Sequence, residues 1–318
     1  MLVEPPRRGD DMGRTIVVAG ATSFYLSLGV EGFPIRYLPT CTPRWLSGGV
    51  FGAAAHIART MRTLGGDIRL CTVVGSDIVG AGIRAELDHD GLLGPGVIPG
   101  HGSSMGVVLV GPDGRRMGYP HLSPVNDVEY PYETFAAQAQ GADLLVMTNA
   151  KFVRPLVARA DLLGIPIAVD THLIADLSDS YSQPWLRAAR IVFSSHERLP
   201  VPPELWIRQI FERYPRCHLV GVGRGPEGAM LGLRDGRLVT VDAAAPRGVV
   251  STSGAGDALF ATFLHFWVFT GDPVHALQRA VLHAGWKIGD RIPGKVALTL
   301  TELCALPSSP TEVSRWDV

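Results

Sequence analysis

The segment Ser251-Thr-Ser-Gly-Ala-Gly-Asp257 runs directly into the apolar stretch Ala258–Thr270. Small residues at a helix start leave several backbone N–H groups unpaired and pointing one way. The helix dipole adds partial positive charge there, so an anion fits. Gly254 and Gly256 let the backbone approach a phosphate closely. Asp257 in the first turn is placed to take a proton from a hydroxyl that attacks that phosphate. The same pattern also reads as an ordinary N-cap with flexible glycines and an acid favoured by the dipole. Spacing alone leaves both readings open.

Gly223-Arg-Gly-Pro-Glu-Gly228 matches GxGxxG after an apolar run. A dinucleotide fingerprint must open a helix. Here the segment leads instead into Ala229–Leu233, Asp235-Gly236 and Leu238–Val241, a hairpin pattern, which argues against NAD binding. Ser47-Gly-Gly49 followed by Gly52–Leu64 brings glycines to another helix start, for a small polar ligand or for tight packing on a sheet. The sole Gly-Lys pair, Gly294-Lys295, lacks the upstream glycine of a Walker loop. No protein-kinase set, GxSxG elbow or HExxH is present.

These residues need elements to position them. Thr15–Ala19, Ile68–Val74, Leu144–Met147, Ile165–Val169, Ile191–Phe193 and His218–Val222 read as buried strands. Helical patterns cover Gly52–Leu64, Val79–His89, Val153–Leu163, Trp185–Ala189, Pro203–Tyr214, Ala255–Thr270 and Pro273–Lys287. This alternation predicts an α/β fold with a mostly parallel sheet covered on both faces. Gly106–Val110 and Arg115–Tyr119 flank Gly111-Pro-Asp-Gly114, a hairpin, so a small β appendage is expected from about 28–47 and 101–121. Residues 1–14 read as a disordered tail, 15–305 as one domain and 306–318 as a C-terminal tail.

With 318 residues, 46% hydrophobic, the chain can bury a large core. The net charge of −1 invites neither nucleic acid nor an anionic membrane. Cys41, Cys71, Cys217 and Cys304 are far apart, without ligand spacing, so no zinc site or disulfide framework is expected. The start has no apolar signal region and no stretch reaches the ~20 residues of a membrane span. A cytoplasmic protein is expected.

In order and spacing the segments resemble the ribokinase/PfkB family of carbohydrate kinases over about residues 15–300. Thr252–Asp257 resembles its C-terminal DTxGAGD signature. Gly48–Gly65 resembles its N-terminal glycine signature, Val74–Gly80 its VGxDxxG, and Gly223–Ala229 its nucleotide-side TxGxxGa. The resemblance implies a ribokinase-like three-layer αβα sandwich with a small β lid, and ATP-dependent phosphorylation of a sugar hydroxyl. It implies Asp257 as general base and the N–H groups of Gly254, Ala255 and Gly256 as anion hole. It places Thr252, Gly223, Gly225, Gly228 and His283 along the nucleotide, and Tyr25, Gly48, Gly49 and His56 at the substrate. Mg²⁺ would ride on the ATP phosphates and water, with no protein metal ligand. A homodimer through the lids is also implied.

The chain departs from the family where sugar is held. Tyr25 stands at or near the sugar-binding Asp, His56 at the signature Asn, Ser251 at the first signature Asp, and Gly223 at the nucleotide-side Thr. Ser195-His-Glu197-Arg198 replaces NxxE. The altered positions point to a substrate with an aromatic or less polar group, such as a nucleoside, or to a non-catalytic relative that binds a ligand. Elsewhere, Phe263 and Trp267 read as core, His265 and His283 as packed or ligand-lining, and Arg115-Arg116 as a solvated tip.

Overall fold

In this computed structural model residues 13–291 and 297–316 are described. The elements in chain order begin with β1 (Thr15–Ala19), β2 (Ser23–Gly29), β3 (Leu46–Phe51), α1 (Ala53–Thr63), β4 (Asp67–Gly75), α2 (Ile78–His89) and β5 (Val97–Gly100). Next come β6 (Ser104–Val110), β7 (Arg116–His121), α3 (Ser123–Asn126), α4 (Tyr132–Ala139), β8 (Leu144–Met147), α5 (Arg154–Asp161), β9 (Ile167–Asp170) and α6 (Gln183–Ala188). The chain continues with β10 (Ile191–Ser195), α7 (Pro203–Arg213), β11 (Leu219–Gly223), β12 (Ala229–Leu233) and β13 (Arg237–Val241). Last are α8 (Ala255–Thr270), α9 (Pro273–Lys287), α10 (Leu300–Ala305) and β14 (Thr311–Arg315).

The large sheet has the order β14-β13-β12-β11-β10-β9-β8-β1-β4-β5. It is parallel from β11 through β5, with an antiparallel edge from β12 to β14. Strands covered on both faces are apolar at every position. β1 shows this: Ile16 and Val18 enter the core shared with α1, α2, α8 and α9, and Val17 and Ala19 enter the core under α4 to α7. The three-layer α/β arrangement expected from the alternation holds.

α8 is apolar nearly all round and buried nearly throughout, as such a helix must be. Left-handed Gly254 and Gly271 bound it at φ 75° and 70°. Asp77 caps α2 by accepting from Gly80 N (2.7 Å) and also holds Ser103 N (2.7 Å), just before β6. The Val74–Gly80 turn therefore anchors the appendage.

That appendage is a second sheet of order β3-β2-β6-β7. Its first segment differs from the expected 28–47: its strands are Ser23–Gly29 and Leu46–Phe51, with irregular chain between them. Residues 306–318 also need correction. Thr311–Arg315 is no tail but strand β14, paired with β13. A charged, polar edge strand carries little apolar signal, so it is hard to tell from a tail. The expected N-terminal tail lies outside the described residues up to 12; Arg14 is tied to Asp143 by a 3.0 Å ion pair. Gly294 and Lys295 also lie outside the described residues.

Candidate active site

The N-terminus of α8 opens at the carboxyl ends of the parallel strands, where open α/β sheets bind ligands. With Gly254 left-handed, the chain turns sharply and Ala258 N–H closes the first bond to Gly254 O at 3.0 Å. Gly256 is exposed. Ala255 N–H leans to Thr252 O at 3.3 Å, so of the three anion-hole candidates it alone has a competing acceptor among the described residues. Asp257 is only 9% exposed and its Oδ1 has no hydrogen-bond partner among the described residues. Burial raises its pKa above the ordinary aspartate value; nearby Asp170 adds to this, while His172, Arg116 and Lys287 oppose it. A carboxylate with a raised pKa is a better proton acceptor than an ordinary one.

Asp170 ends β9 and accepts from His172 N at 2.8 Å; His172 Nδ1 lies 3.4 Å from its Oδ2. His172 holds φ 52°, an uncommon value for a non-glycine residue. Asp170, His172 and Asp257 bring one ligand atom each within 4.8 Å of one another. A histidine in the set suits Mg²⁺ poorly, and two carboxylates fall short of an octahedral cage.

The lid faces this turn with one side of its sheet. Residues directly opposite across a ladder share a face. Tyr25 pairs with Gly49 on β3 and Gly106 on β6, so a glycine flanks it on each side. A Cβ on Gly106 would stand 2.3 Å from Tyr25 Cε1: the ring occupies that gap. Tyr25 meets Phe51 edge-to-face at 5.7 Å. Burial, then the charge of Asp257, raise the Tyr25 pKa. Arg116 pairs with Val110, which pairs with Gly29, and so lies on the same face as Tyr25. Its side chain is nonetheless exposed, as the expected solvated tip would be, and Arg115 beside it is ion-paired to Asp113 at 2.5 Å.

Several expected site residues sit elsewhere. Gly48 opposes Leu26, so it belongs to the other face of the lid. His56 is 2% exposed and packs behind Phe51 at 5.1 Å, with Nε2 only 3.2 Å from where a Gly254 Cβ would stand. It supports the turn and does not reach a substrate. Burial, aided by Lys287 and Arg59, pushes its pKa well down, so the ring is neutral. His283 is fully buried and both its nitrogens are taken. Nδ1 meets Thr262 Oγ1 at 2.7 Å and Nε2 accepts from Leu298 N at 2.9 Å. It joins α8 to α9 and lines no nucleotide. Thr252 uses its hydroxyl and N–H on the lid: both donate to Gly114 O, at 3.2 and 3.4 Å.

The GxGxxG segment forms a 3-10 turn, Gly225–Glu227, then β12, so the expected hairpin is present. Gly223 packs beside Leu259 of α8. Gly228, at φ 88°, needs to be glycine, because a Cβ would lie 2.0 Å from Val241 O. His196 places Nδ1 2.9 Å from Gly223 O and borders Gly225. Glu197 is exposed. Sequence reasoning gave no role to Asp170, His172 or Lys287, read Arg116 only as part of a solvated tip and met His196 only within the segment at NxxE. Asp170 had a signal, since it ends a strand at the ligand-binding edge. The others had none, because their neighbours come from distant segments.

No family model matches the chain. An ATP-dependent ribose-1-phosphate kinase of Halopiger xanaduensis is 27% identical over 242 residues, 74% of this chain and 78% of that protein. The structure of Arabidopsis thaliana ribokinase with ribose and ATP superposes with TM-score 0.75 at 17% identity, covering 92% of this chain and 98% of that one. Burkholderia thailandensis nucleoside kinase with inosine superposes with TM-score 0.72 at 18% identity, covering 91% and 95%. The chain has the ribokinase fold, and its likeness to the ribokinase/PfkB carbohydrate kinases holds in both sequence and structure.

Proposed function

We propose that this protein is an ATP-dependent kinase that transfers a phosphoryl group to a hydroxyl of a sugar or sugar-like small molecule. The observation that carries this reading is Asp257, buried at the start of α8 with an oxygen that has no hydrogen-bond partner among the described residues. Asp257 takes the hydroxyl proton, and the Gly254–Gly256 N–H groups hold the negative charge of the transferring phosphoryl. Gly223, Gly225 and Gly228 bring backbone close on the nucleotide side. Mg²⁺ brought in on the ATP phosphates would supply positive charge that offsets theirs. The kinase names of the sequence and fold relatives support the reading.

A nucleoside acceptor is a second reading, favoured by the ring of Tyr25 lying between two glycines with Phe51 at its edge. Such a wall stacks on a base or on the apolar face of a sugar. The test is ATP consumption over pentoses, sugar 1-phosphates and nucleosides, with Asp257→Asn as control. The variant is expected to lose roughly 10²–10⁴ in kcat, the usual worth of a general base. Equal turnover by wild type and variant overturns the assignment of Asp257.

The outer lid face carries Leu26, Leu46, Met105, Met117 and Tyr119, all exposed. An apolar sheet face of this kind supports a homodimer in which two lids cover each other. Among the described residues no helix is long and apolar enough to cross a membrane.

A further inference from the structure

Lys287 is the last residue of α9, 1% exposed, and its Nζ has no hydrogen-bond partner among the described residues. No carboxylate lies within ion-pair distance of it among those residues. A cation in the last helical turn gains up to ~2 kcal/mol from the dipole. Burying an ammonium costs several kcal/mol even after relaxation. Helix chemistry alone therefore does not account for a lysine here.

Its surroundings do. The carbonyl of Ile288, the next residue, accepts from Val250 N (2.8 Å) and Ser251 N (3.0 Å). The end of α9 is thereby joined to the stretch of chain that becomes the Gly254–Asp257 turn. Two more buried polar atoms without partners belong to that turn, Ser253 Oγ and Asp257 Oδ1. Lys287 lies in the electrostatic field of both Asp257 and His56, which itself packs against Gly254. Among the described residues, Lys287 Nζ, Ser253 Oγ, Asp257 Oδ1 and both ring nitrogens of His56 are thus buried polar atoms without partners around one helix start.

We propose that Lys287 is a charge-supplying positioning residue of this site: its sealed ammonium, behind the Gly254–Asp257 turn, strengthens the turn's attraction for a phosphoryl group. The ammonium touches neither substrate nor nucleotide. It acts through the turn, where low dielectric lets one charge be felt over several ångströms. The proposal rests on the kinase reading for its purpose, not for its test.

The charged groups around Lys287 are Asp257 from α8, Asp290 just past α9, Arg116 from the lid, Arg247 from the preceding loop, and His56 from α1. Burial lowers the lysine to about 8. The Tyr25 pKa is raised and that of His56 lowered, so neither titrates between pH 7.5 and 9.5. Inorganic phosphate is mostly the dianion at the start of that range and almost wholly so at its end, a change that by itself would strengthen binding as pH rises.

The experiment is calorimetric titration of wild type and Lys287→Met with inorganic phosphate, with thermal melts of both. Wild-type affinity is expected to weaken as pH rises through about 8. Lys287→Met is expected to bind phosphate roughly tenfold more weakly at pH 7, without that pH dependence, and to melt higher than wild type. Where an acceptor is turned over, kcat falls roughly 10–100-fold with acceptor KM little changed. A lysine that serves structure alone gives a lower melting temperature and unchanged phosphate affinity, and that overturns the proposal. A pH-independent wild-type affinity overturns it as well, even if the variant fails to fold. Lys287-dependent phosphate binding without turnover of any acceptor leaves this proposal standing and sinks the kinase reading.

Discussion

Asp257 and Lys287 carry opposite charges and bear the same kind of penalty, the desolvation of an ion. For Asp257 the folded pKa lies above the unfolded one. Stability from such a group is full at low pH and is lost as pH rises through the folded value. At neutral pH the ionised carboxylate is therefore a cost, and Asp257→Asn is expected to melt at or above wild type while kcat falls. A lower melting temperature in calorimetry would show that the carboxylate holds the fold together. The acid limb of kcat/KM is expected above the range of an ordinary aspartate, because the base must be ionised to act. For Lys287 the shift from 10.5 to about 8 corresponds to a cost on the order of 3 kcal/mol at neutral pH. The unfolded chain keeps that proton up to its higher pKa, so stability rises with pH between the two values. That rise, followed by denaturant unfolding, is expected to vanish in Lys287→Met.

The lid works as a unit at the scale of elements. Its inner face keeps small residues around one ring: Tyr25 lies between Gly49 and Gly106. Its β6–β7 tip rests on Thr252, at the approach to α8. Substituting Gly106→Ala would put a methyl 2.3 Å from the Tyr25 ring and force it to move. The expected result is about tenfold higher acceptor KM with ATP KM unchanged, read by steady-state kinetics. An unchanged acceptor KM removes Tyr25 from the substrate site. The two hairpins were legible in sequence because Gly111–Gly114 and Asp235-Gly236 state their turns locally. β2 and β3 were obscured by the irregular chain between them. α10 was not among the expected helices, although Thr299 and Glu302 form a capping box, which is a local signal.

For the whole molecule, the two apolar cores on either side of one sheet explain why a chain of this length forms one layered body. The exposed lid face is where a second copy would add to it. Light scattering is expected to give a dimer for wild type and a monomer for Leu26→Lys combined with Tyr119→Lys, since two charges on that face oppose its burial. A monomeric wild type counts against the lid interface. The sequence by itself determined the alternating α/β layers, the hairpin after Gly223–Gly228 and the glycine-rich start of α8, because period, turn residues and helix starts are local properties of a chain. Only the tertiary structure decided that His56 and His283 are buried, that exposed Arg116 shares the Tyr25 face of the lid and that the Lys287 end of α9 is joined to the chain leading into α8. Those roles depend on which distant segments meet and how much water they exclude, and neither can be read from spacing along the chain.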